Sequence, residues 1–125
     1  MRNYLVAALT VFGLLTARTF AQGDAERDAM LYLESVGLEK KAKVCAARIP
    51  QFAQRFDEAF AAWRTRNANA LRRGEAFLRA DAAKNNIPFE VNVQAVTDTA
   101  AQMLEKTNQR LLEENCNAFL AQVGA

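Results

Sequence analysis

The sequence predicts an all-α protein: a long antiparallel helical hairpin, over about 50–86 and 89–123, with two short N-terminal helices packed on its base and one disulfide. Three observations carry this reading. Apolar residues recur at three- and four-residue spacing along almost the whole chain, the period of a helix with one buried face. Only two prolines and five glycines interrupt that pattern in 125 residues. The two cysteines, Cys45 and Cys116, both fall on apolar helical stripes.

Residues 1–21 read as a signal peptide. Arg2 supplies a positive start, Tyr4 to Leu15 form an apolar stretch, and a small-residue region follows that offers cleavage after Ala21 or after Gly23. The apolar run is shorter than the ~20 residues of a spanning helix, so no stable membrane anchor is expected after cleavage. Residues 22–125 then form a single helical domain in the periplasm or outside the cell. In an oxidising compartment two cysteines most simply pair, so Cys45–Cys116 is expected as a structural disulfide. Closing so long a loop stabilises a fold by about 4 kcal/mol on the chain-entropy model.

Each element follows in order. Asp24 can cap a first helix carrying Ala25, Ala29, Tyr32, Leu33 and Val36 on one side, with Gly37 as its stop. A second short helix places Leu38, Ala42, Cys45 and Ile49 together, and Pro50 should redirect the chain into the next. The third segment carries Phe52, Phe56, Phe60, Trp63, Leu71, Phe77 and Leu78, and ends at the turn Asn85-Asn86-Ile87-Pro88. The fourth shows Val93, Val96, Ala100, Leu104 and Leu111 on one stripe, with Leu112, Cys116, Phe119 and Val123 widening it near the end. A turn centred near residue 87 would face Trp63 with Leu111, Leu78 with Val96, and Gly74 with Ala100. It would also pair Asn67 with Thr107 as a structural polar layer. Gly74 is costly inside a helix; it either admits a close neighbour or marks a break.

Much chemistry is excluded by composition. The chain has no histidine, which removes Ser-His and Cys-His nucleophile pairs, Glu-x-x-His di-iron ligands and mixed Cys/His zinc sites. No phosphate-cradling glycine loop is present. The acidic pairs Asp57-Glu58 and Glu113-Glu114 read as solvated helix surface. No catalytic residues, no metal and no cofactor are expected, and the protein is expected not to be an enzyme. The formal charge of +2 comes wholly from Arg2 and Arg18, so the domain itself is neutral and lacks the basic field of a nucleic-acid binder.

What remains points to binding. Phe77, Leu78, Ile87, Phe89, Val91, Val93, Val96 and Met103 concentrate at the far end of the hairpin, beyond N-terminal helices that would each be only about 20 Å long. Apolar surface of that extent on a soluble protein is usually covered by a partner. Residues 63–84 are locally basic and residues 85–125 acidic, which suits antiparallel pairing of the two long helices; Arg66, Arg73 and Lys84, on one edge of the apolar stripe, are also a candidate contact for an acidic partner or an anionic lipid headgroup. The expected function is an exported protein-binding module, chaperone-like, inhibitor or immunity-type, engaging a protein partner or a homo-oligomer. The alternative is a self-associating envelope or secretion-assembly subunit, and a small enzyme or ligand carrier ranks below both.

Overall fold

The computed structural model describes the backbone from Arg2 and the side chains from Gly23 to Ala125. The signal-peptide reading of residues 1–21 lies outside the residues whose side chains are described. Five helices follow one another: α1 (Arg2–Arg48), α2 (Phe52–Arg66), α3 (Ala68–Lys84), α4 (Phe89–Glu105) and α5 (Gln109–Val123). No helix among the described residues is long and apolar enough to cross a membrane.

The all-α class and the Cys45–Cys116 disulfide are as the sequence predicts. The course of the helices is different. Instead of two short N-terminal helices packed on the base of a long hairpin, one long helix, α1, is contacted by all four others. Gly37 does not stop it. A glycine costs a helix interior only about 1 kcal/mol, and the stripe that continues past it, Leu38, Ala42 and Cys45, is buried on α2 and α5. Tertiary packing outweighs that local cost.

The contacts fix the directions of the other helices. α4 runs parallel to α1: Phe89 lies beside Tyr32, Lys40 bonds Thr97 and Asp98, and Arg48 reaches the carbonyl of Glu105. α5 runs antiparallel, with Gln109 at Arg48, Cys116 bonded to Cys45, Phe119 beneath Lys41 and Gln122 bonded to Glu34. α2 turns back along α1 after the reversal at Ile49–Gln51, and α3 continues in the same sense.

The predicted third helix divides at Asn67, and not at Gly74, into α2 and α3. At the division Asn67 N–H bonds the Trp63 carbonyl and Leu71 N–H the Asn67 carbonyl. The Asn67 side-chain amide also donates to the Trp63 carbonyl at 2.8 Å. That local bond competes with a continued helix at this position. The predicted fourth helix does break. Asn108 caps α5, its side chain accepting from Leu111 N–H at 3.0 Å. The Thr107 hydroxyl donates to the Met103 carbonyl of its own helix. The expected Asn67–Thr107 layer therefore does not form, because each side chain bonds locally at a helix end.

Gly74 does admit a close neighbour, though not Ala100. A Cβ there would collide with the Asp28 carbonyl group and lie 3.0 Å from the Ala29 nitrogen. At this position α3 packs on α1 rather than on α4. The core sits around the disulfide, where Leu38, Ala42 and Val44 meet the stacked ladder Phe52-Phe56-Phe60-Trp63 and the α5 stripe Leu112, Cys116, Leu120 and Val123. Successive rings of the ladder are 5.3, 5.0 and 5.8 Å apart.

Candidate functional site

The end of the molecule formed by α3 and α4 closes by a C-terminal motif on α3. Asn86 takes the left-handed conformation at φ 54°, and Ile87 N–H bonds back to the Ala82 carbonyl at 2.9 Å. This is the usual way an asparagine ends a helix. Pro88 then leads into α4. The sequence places the apolar cluster here, and the structure divides it. Val93 is buried, 8% exposed, on the α1 side. Leu78 and Phe89 are half-buried. Phe89 lies under the Arg79 guanidinium at 4.0 Å and beside the Tyr32 ring at 6.1 Å. Phe77, Ile87 and Val91 remain exposed. Because α1 extends to this end, part of the expected surface is sealed internally.

What stays open lies mainly along α4. Its only charged residues, Glu90, Asp98 and Glu105, fall on one side of the helix. Two of them face basic partners: Asp98 takes Lys40 at 2.6 Å and Glu90 lies 3.6 Å from Arg79. Half a turn away, Asn92, Val96, Thr99 and Met103 recur at spacings of four, three and four, and all are exposed. Val96 is 55% and Met103 68% exposed. The flank carries no charge along its length. A 4-3-4 spacing of this kind is the seam a helix offers to another helix. Val96 was expected to face Leu78 in the hairpin seam, and Leu111 to face Trp63; both are exposed instead. Sequence reasoning did not single out Asn92, Thr99 or the exposed Met30. The sequence signal available for the first two was the absence of charge on one flank of α4.

The basic edge is mostly engaged within the fold. Arg66 donates to the Val123 carbonyl at 3.5 Å, where its charge suits a helix C-terminus. Arg73 bonds Asp28 at 2.7 Å, and that hydrogen bond and charge hold its guanidinium above its ordinary range. Lys84 is exposed in the last turn of α3. Arg48 plays the part of Arg66 at α4, donating to the carbonyls of Glu105 and Thr107. Asp57, Glu58, Glu113 and Glu114 are all exposed.

The remaining clefts are open grooves beside α1. One of about 600 Å³, against α4, is lined by Lys40, Lys43, Arg48, Asp98 and Glu105. Another of about 630 Å³, where α2 and α3 divide, holds Tyr32, Glu39, Arg64, Arg72 and Glu75. In it the Tyr32 hydroxyl donates to Glu75 at 3.4 Å. Partial burial, then the Glu75 carboxylate, raise the tyrosine above its ordinary range.

Comparison with protein-family models, curated proteins and solved structures finds no match to this chain. The functional reading therefore rests on its own geometry.

Proposed function

We propose that this chain is an exported, non-catalytic protein-binding module, and that the uncharged flank of α4 is its contact surface. The observation that carries the reading is the exposed Asn92-Val96-Thr99-Met103 seam, opposite the three acids of its own helix. Val91, Ile87 and Phe77 extend the apolar surface toward the α3–α4 turn. Burying such side chains against a partner yields roughly 25 cal/mol per Å² of apolar area. Methionine is well suited to the task, because its flexible thioether adapts to an irregular partner surface.

Export rests on the sequence of residues 1–21, and the disulfide fits an oxidising compartment. Intact-mass measurement of the protein isolated from its cells tests this part. The reading expects a chain beginning at Gln22, or at Asp24, with two hydrogens fewer than the reduced form. A chain retaining residues 1–21 would contradict it.

Binding is tested by immobilising the protein and its V96E/M103E variant, with E58Q on the far helix α2 as control. All three changes are at exposed positions, so the fold should survive. Wild type and E58Q should retain the same protein from an envelope extract, and V96E/M103E should lose it. Equal retention by all three would rule out the α4 flank.

A further inference from the structure

A second surface, independent of the α4 flank, lies on the groove of about 470 Å³ between α1 and α2. The buried Phe52, Phe56 and Phe60 line it together with short alanines. Four exposed charges stand on its banks, Glu39 and Lys43 on α1 and Asp57 and Arg64 on α2. Among the described residues none of the four is in an ion pair.

Their order is the informative feature. α1 and α2 are antiparallel, so Glu39 and Arg64 share one end of the groove, where Arg64 also leans over the Phe60 ring at 5.7 Å. Lys43 and Asp57 share the other. Each end thus carries one acid and one base on opposite banks, and the sign alternates along each bank. A two-fold rotation about an axis lying along the groove keeps every residue at its own height and exchanges the banks. Glu39 of one copy then meets Arg64 of the other, and Lys43 meets Asp57, each twice. A contact between identical copies requires a patch that is its own complement, and this charge order has that property. The short alanine side chains allow the facing helices to approach.

We propose that a second copy of this chain docks on the α1–α2 groove, forming a two-fold homodimer in which α1 of each copy lies over α2 of the other. The interface places the four groove charges at its rim and the short alanines over Phe52, Phe56 and Phe60 at its centre. Rim charges of this type steer and select more than they tighten, so association is weak and falls as salt is raised.

Sedimentation equilibrium on the disulfide-intact protein tests the proposal, at low and high salt, with the K43E and D57K variants. The expected result is a concentration-dependent monomer–dimer equilibrium in the wild type, weaker at high salt. Each variant alone should dimerise roughly tenfold less or worse, because each reversal turns two attractive pairs into repulsive ones. An equimolar mixture of the two should recover the dimer, since every facing pair is then again of opposite sign. A wild type that stays monomeric, variants that dimerise unchanged, or a mixture that fails to recover would each overturn the proposal. Circular dichroism of both variants confirms that the exposed substitutions leave the fold intact.

Discussion

Two glycines in long helices have opposite roles, and the difference is a matter of available space. Gly37 lies inside α1, where a Cβ would meet the Lys41 and Thr97 side chains at 3.9 and 4.0 Å, ordinary contact. Gly37→Ala should therefore raise stability by about 0.5–1 kcal/mol, through helix propensity alone. Gly74→Ala should lose at least ~2 kcal/mol, because α1 backbone occupies the space of the new methyl group. Urea melts of the two variants check both signs, and a neutral Gly74→Ala would mean that α1 and α3 are not in close contact. Tyr32 supplies a pH signature at the same scale. Its hydroxyl form is favoured in the folded protein, so the stability it contributes is complete below its unfolded value of about 10 and is lost as pH rises through the higher folded value. Above pH ~10 the wild type should lose stability more steeply than Tyr32→Phe in thermal melts. Parallel slopes would contradict the contact with Glu75.

At the scale of elements, the capping chemistry at residue 108 explains why a long predicted helix is in fact two. Asn108→Ala removes the bond to Leu111 N–H and should cost about 1 kcal/mol, read from the urea midpoint; no change would mean that the cap is not a stabilising contact. The helical content was legible in the sequence, because three- and four-residue spacing survives almost everywhere. So was the turn at Asn85–Pro88, where both asparagines and the proline act locally. The partners of each helix were not legible. A stripe such as Phe52-Phe56-Phe60-Trp63 shows that a helix is buried on one side but not which neighbour covers it, and any antiparallel register through a short turn finds some matches. Asn67 and Thr107 suited a seam pairing equally well, until each was seen bonded to a carbonyl four residues earlier on its own chain.

For the molecule as a whole, the disulfide joins the central helix to the last one across 71 residues. Both cysteines are fully buried against the aromatic ladder. Replacing both by alanine should cost about 4 kcal/mol by loop closure alone, visible as a drop in Tm of some tens of degrees for a domain of this size. A fall of only a few degrees would show that the core holds α5 without the bond. The sequence located apolar residues near the α3–α4 turn, of which Phe77, Ile87 and Val91 are exposed in the structure, while the exposed Met103 lies near the other end of α4. The extent of the exposed surface was not legible, because the reach of α1 decides which are covered, and that depends on Gly37 being tolerated within a helix. The central claim is that the uncharged flank of α4 contacts another protein. Photo-crosslinking in the producing cells tests it most directly, with the reactive side chain placed at position 96 or 103 and, as control, at position 58. The account predicts one discrete protein adduct from positions 96 and 103 that is absent from position 58; no adduct at either α4 position, or the same adducts from all three, would contradict it.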